Sequence, residues 1–146
     1  MKIRILLIVL ACGLLSGCSI FGEINQSLDY ANEATKYIAN AASFAEQVPN
    51  LTEQALADPQ ARASLIQSLE TMKNNAIHFN GLEVPAVVKD IHQQLVGYNE
   101  TLLSEINGYL GNISDNVFNL NTLAESQIMQ TIEKITQTLN LIQQLG

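Results

Sequence analysis

Few side chains in this 146-residue chain could do chemistry beyond simple hydrogen bonding: two cysteines, two histidines, four tyrosines, and 14 acidic residues set against seven basic ones. His78 and His92 are the natural starting points. Helical carboxylate metal sites place a Glu three residues before each His, but here Asn75 and Lys89 occupy those positions. Paired acids for proton transfer need a shared face, and Glu100 and Glu105 are five apart, off the helical spacings of three and four. Glu70 and Lys73, at i and i+3, form an ordinary surface pair. Ser27, Ser43, Ser64, Ser68, Ser104 and Ser126 fall inside helical patterns without the Gly-x-Ser-x-Gly turn that activates a hydroxyl. The sequence contains no glycine-rich phosphate loop, His-Glu-x-x-His or calcium-loop pattern. A hydrolytic site would have to draw on Glu83 or Asp90 near His92. No catalytic set, cofactor or metal is expected.

Cys18 has a more informative setting. Lys2 and Arg4 precede an apolar run from Ile5 to Leu15, and Leu15-Ser16-Gly17 leads directly into the cysteine. A basic start, a short apolar run and small residues at a cut site are the marks of a secretory signal peptide. Eleven helical residues rise only about 16 Å, roughly half a bilayer's hydrocarbon core. Leu15-Ser16-Gly17-Cys18 resembles the lipobox of bacterial lipoproteins. That resemblance implies a diacylglyceryl group with palmitate-type chains on the Cys18 thiol and cleavage between Gly17 and Cys18. Two acyl chains hold stably where one holds marginally, at about 0.8 kcal/mol per buried CH₂. Ser19, not Asp, follows the cysteine. The expected organisation is a signal peptide at 1–17, a lipid-anchored linker at 18–22 and one domain at 23–146.

Residues 18–146 keep all 14 acids but only five bases, a formal charge of −9. That sign excludes a nucleic-acid partner, whose phosphates need a basic surface. It also leaves the anchor, not the surface, to hold the chain at an anionic membrane. The same stretch carries 14 Asn and 12 Gln, more amides than its 19 charged residues. Uncharged amides can hydrogen-bond glycans, peptidoglycan or a protein without salt dependence, or simply solvate helix faces.

Positioning falls to helices, because apolar residues recur at steps of three and four. A first helix over about 23–47 carries the seam Ile24, Leu28, Ala31, Thr35, Ile38, Ala42 and Ala45. Tyr30, Tyr37 and Phe44 run beside it, and Val48-Pro49-Asn50 should stop it. Asn50-Leu-Thr-Glu53 reads as the start of a short turn or helix. Asp58-Pro59 opens the next helix with a cap and a proline at N1. Its seam is Leu65, Leu69, Met72, Ala76 and Phe79, and Gly81 ends it. Pro85 opens a third helix with Val84, Val88, Ile91, Leu95, Tyr98, Leu102, Ile106 and Tyr109 inward, weakened by Gly97, Gly108 and Gly111. Val117, Phe118 and Leu120 should tuck under the bundle, and Thr122 caps a last helix with Ile128, Ile132, Ile135, Leu139 and Ile142 inward. The fold class is therefore all-α, an antiparallel helical bundle of three to four long helices after a cleaved signal peptide.

The stretch 25–38, Asn-Gln-Ser-Leu-Asp-Tyr-Ala-Asn-Glu-Ala-Thr-Lys-Tyr-Ile, resembles a family of small uncharacterised lipoproteins of spore-forming Gram-positive bacteria. So do Phe79-Asn-Gly-Leu-Glu-Val-Pro-Ala86, Asp90-Ile-His-Gln-Gln-Leu95, Tyr98-Asn99 and the final Ile-Gln-Gln-Leu-Gly. The resemblance implies attachment to the outer leaflet of the cytoplasmic membrane, facing the wall, and supplies no activity. Pro85 and His92 match its pattern, which directs attention to the start of the third helix. His92, Tyr98 and Tyr109 are accordingly the candidate ligand-binding residues. The expectation is a non-enzymatic, lipid-anchored envelope protein that binds or scaffolds an envelope protein or wall partner. The alternative is a small-ligand or metal carrier in which both histidines and the tyrosines share a pocket inside the bundle.

Overall fold

The computed structural model describes the backbone of residues 17–114 and 127–143, and the side chains of 26–113 and 127–138. Helix α1 spans Gly17–Ala55, α2 Pro59–Asn80, α3 Lys89–Ser114 and α4 Gln127–Gln143, with a 3₁₀ turn at Ala86–Val88 before α3. Each helix packs on two neighbours, in the cycle α1–α2–α3–α4–α1. The described residues form an all-α four-helix bundle. Tyr37 meets Phe79, while the groove beyond brings Leu51 beside Ser64, so α1 and α2 are antiparallel. Tyr30 pairs with His92 and Tyr37 with Asn99, so α1 and α3 run parallel across the diagonal. Together these give up-down-up connectivity over α1–α3.

The seam of α2 is the expected one: Leu65, Leu69, Met72, Ala76 and Phe79 are all buried. Each large apolar side chain so removed from water contributes about 1.5–3 kcal/mol. Asp58 Oδ1 accepts the Gln60 N–H at 2.8 Å, and Pro59 occupies the first turn. A cap of this kind is worth about 1 kcal/mol. At the other end Gly81 has φ −92° and ψ 3°, and donates its N–H to the His78 carbonyl at 3.1 Å. This is not the left-handed stop expected of a glycine there.

Helix α1 departs from expectation twice. Its buried seam is Tyr30, Ala34, Tyr37, Ala41, Phe44, Val48, Thr52 and Ala55. Leu28 is 59% exposed, and Ala31 and Thr35 face water. The inward face turns toward the three aromatic rings because they offer far more area to bury than the alanines and threonine of the other stripe. Ala34 and Ala41 are buried between the rings.

The second departure is at Pro49, which does not stop α1; the helix continues through it to Ala55. Proline removes one backbone donor. Val48 and Ala55, both fully buried, keep the last turns packed on the bundle. Thr52 lies in the seam because its hydroxyl returns to the Val48 carbonyl at 2.7 Å. Helix α3 likewise runs unbroken through Gly97, Gly108 and Gly111. Val117, Phe118, Leu120 and the Thr122 cap lie outside the described residues. In α4, Ile128, Ile132 and Ile135 are buried as expected, and the side chains of Leu139 and Ile142 lie outside the described set.

Candidate functional site

The polar residues richest in chemistry meet in the core. Helix α1 carries Tyr30 and Tyr37 one heptad apart, and α3 carries His92 and Asn99 one heptad apart. Because the two helices run parallel, the pairs meet in successive layers. The Tyr30 hydroxyl lies 3.1 Å from His92 Nδ1, and Tyr37 donates to Asn99 Oδ1 at 2.5 Å. The end of α2 closes both pairs. Asn99 Nδ2 donates to Asn80 Oδ1 at 2.7 Å, and the His92 ring also bonds the Asn80 backbone. A carbonyl can only accept, so the ring N–H goes to Asn80 and Nδ1 takes the Tyr30 hydroxyl proton, an assignment made from the partners.

Phe79, 1% exposed, is the ring around which these groups assemble. It stacks on Tyr37 with centroids 4.6 Å apart and lies tilted 5.1 Å from His92. Burial pushes the Tyr30 hydroxyl up to about 12, and raises Tyr37 further, with the Asn99 hydrogen bond opposing. Burial lowers His92, against the Asn80 bond that favours its protonated form. All three are therefore neutral at neutral pH. The network ties Tyr30 to His92, Tyr37 to Asn99 and Asn99 to Asn80, which suits it to setting helix register.

The expected set of His92, Tyr98 and Tyr109 does not converge. At 100° per residue His92 and Tyr98 project about 120° apart around α3. His92 is buried against Tyr30 and Phe79, whereas the Tyr98 hydroxyl sits at the surface and accepts from Gln94 Nε2 at 3.0 Å. Tyr109 shares the Tyr98 face, three turns further along. Nor do the histidines share a cavity. The His78 side chain is 69% exposed on α2, with Nε2 3.3 Å from Glu33 Oε2. Glu33 also holds Lys36 at 2.6 Å, and the bonds to Lys36 and then His78 lower its carboxyl from the usual range. Glu83 and Asp90 are exposed, and Glu83 reaches Gln26 on α1 at 3.5 Å instead of His92. Among the described residues no three His, Cys, Asp or Glu cluster to hold a metal ion. Gly17 and Cys18 are the first two residues of α1, and residues 18–22 continue its helical backbone.

Sequence reasoning missed two features. Asn80 and Asn99 were not singled out, although Asn99 is fully buried on the α3 seam. The matching heptads Tyr30–Tyr37 and His92–Asn99 were the available signal. The second feature is a surface groove of about 410 Å³ between α1 and α2, with Asn40 and Asn75 at one end and Leu51 and Ser64 at the other.

Comparison with known proteins rests on nearly the whole chain. Residues 30–145 match a family of unknown function (DUF6376). The chain belongs to that family. It is also 34% identical to the "Uncharacterized lipoprotein YybP" of Bacillus subtilis (strain 168), over 98% of this chain and 99% of that protein. This agrees with the family resemblance in 25–38 and 79–99, whose host is a spore-forming Gram-positive bacterium. No solved structure matches the chain. Among the described residues no helix is long and apolar enough to cross a membrane.

Proposed function

We propose that the chain is the precursor of a lipid-anchored envelope protein. In this reading residues 1–17 are removed between Gly17 and Cys18, Cys18 carries a diacylglyceryl group, residues 18–22 link it to the body, and residues 23–146 form the helical domain. The domain serves as a non-enzymatic binding or scaffolding module on the extracytoplasmic face of the membrane, with an envelope protein or wall component as partner.

One observation carries the reading: Leu15-Ser16-Gly17-Cys18 stands behind a basic and apolar leader, in a chain that aligns end to end with a lipoprotein. The core supports the non-enzymatic part, since Tyr30, Tyr37, His92 and Asn99 are committed to one another. The carrier alternative called for both histidines and two tyrosines on one cavity, and no observation favours it.

Cys18→Ala tests the anchor. The variant accumulates as unprocessed precursor and takes up no radioactive fatty acid, while the wild-type chain is labelled; labelling that persisted in the variant would sink the assignment. Crosslinking in intact cells then identifies the partner. Recovery of the wild-type protein without any crosslinked envelope component would count against a binding or scaffolding role.

A further inference from the structure

We propose that the α1–α2 groove is a binding site for a neutral oligosaccharide bearing hydroxyl and amide groups. This rests on the reading of the domain as a binding module and names the chemistry it would recognise. The groove's lining contains no Asp, Glu, Lys, Arg or His, in a chain whose net charge is −7. Asn40 and Gln47 stand on the α1 rim, Gln67 and Asn75 on the α2 rim. Ser43 and Ser68 lie between the amides. Each amide offers two donors and an acceptor, and each hydroxyl one donor and two acceptors, which is the complement of a sugar's own groups.

The spacing is regular. Asn40 and Gln47 are seven helical residues apart, and Gln67 and Asn75 eight, so the antiparallel rims present two amide pairs about 10–12 Å apart. That is the scale of a disaccharide repeat in an extended β-linked chain. Among the described residues none of the four amides is taken up by a partner. Other amides are: Gln54 by Asn50, Gln94 by Tyr98, Gln137 by Glu133.

Two features favour a sugar over other occupants. Most of the apolar floor is turned into the core, with Phe44 4% and Met72 1% exposed, which leaves the partly buried Leu51 as the apolar side chain a peptide could pack against. Charged groups adjoin the groove at its Asn40–Asn75 end. Asn40 and Asn75 also border a smaller depression of about 220 Å³ that carries Glu33, Lys36 and His78. An anionic polymer laid along the groove would meet no cation within it.

The test is titration of the purified full chain in detergent with the β-1,4-linked tetramer of N-acetylglucosamine, followed by calorimetry. Saturable binding that does not change on adding salt is expected, since no ion pair forms. Asn40→Ala with Gln67→Ala, both at exposed positions, should weaken binding about tenfold or more, the equivalent of one modest hydrogen bond lost at each of the two sites. The melting temperature should stay the same. Gln94→Ala on α3 should bind as wild type. Absence of saturable binding, full affinity in the double variant, or displacement of the sugar by an uncharged oligoalanine peptide would each overturn the proposal. The last result would assign the groove to a peptide. The titration does not involve the anchor, so oligosaccharide binding together with unlabelled wild-type Cys18 would remove only the lipid-anchoring reading.

Discussion

Tyr37 on α1 donates its hydroxyl to Asn99 on α3 across the diagonal of the bundle, one heptad beyond the layer in which Tyr30 meets His92. Both pairs have the same sequence separation, 62 residues, so a slip of either helix by one turn would break two buried hydrogen bonds at once. Tyr37→Phe removes the donor and leaves Asn99 Oδ1 bare in a fully buried position. The expected cost is about 1–3 kcal/mol, read as a lower urea midpoint. Asn99→Ala should cost more, because it strands the Tyr37 hydroxyl and Asn80 Oδ1 together. In the double variant Tyr37 no longer has a hydroxyl to strand, so the two losses should fall short of additive.

His92 makes stability depend on pH in a defined direction. Its folded value is lowered from 6.5 by burial, the Asn80 bond opposing. The groups facing the ring are Tyr30, Phe79 and the Asn80 backbone, none of which carries charge at neutral pH. Between the lowered folded value and 6.5 the unfolded chain binds a proton that the folded chain refuses, so stability rises with pH there. The contribution is complete above 6.5 and is lost as pH falls below it. Thermal melts from pH 7.5 to 5 should therefore show a steeper decline for wild type than for His92→Gln. The His78–Glu33 pair is present in both and cancels. Equal slopes would remove His92 as the source.

The bundle and the α2 seam were legible because Leu65, Leu69, Met72 and Phe79 have no competing stripe of similar weight. On α1 two stripes compete, and a periodicity that counts Ala and Thr equally with Tyr and Phe chooses the wrong one. The extension through Pro49 was illegible locally, because what holds those turns is burial of Val48 and Ala55 on other helices. His92 was found for its type, but its role was not, since a histidine's partners come from the fold. Tyr30 lies 62 positions away in sequence. The groove's amides were visible only as composition, because pairing Asn40 with Asn75 needs the antiparallel register.

The glycines of α3 give a test of local propensity against packing. At Gly97 and Gly108 an added Cβ would meet nothing within 4 Å, and both positions are exposed within continuous helix. Alanine there narrows the unfolded ensemble and adds no clash. Gly97→Ala and Gly108→Ala should each stabilise the bundle by about 0.5–1 kcal/mol, and the pair should add, because the sites lie eleven helical residues apart. Chemical denaturation of the single and double variants checks both statements. Loss of stability in either variant would mean that α3 does not hold its glycines as free helical surface.

Glu105 carries the opposite sign to His92. One of its carboxylate oxygens, Oε2, is buried without a hydrogen-bond partner among the described residues, and burial raises the group from its usual value of 4.5. A carboxyl with a raised folded value favours the folded chain only while it is protonated. Its contribution is complete below 4.5 and is lost as pH rises through the folded value, so at pH 7 the ionised form is a net cost. Glu105→Gln keeps the shape and removes the charge. The variant should melt higher than wild type at pH 7, and the gain should shrink steadily as pH falls, vanishing once both states of the wild-type carboxyl are protonated. A gain independent of pH would locate the benefit in packing, and a lower melting temperature at pH 7 would mean that the Glu105 carboxylate is stabilised by a cation that burial alone does not reveal.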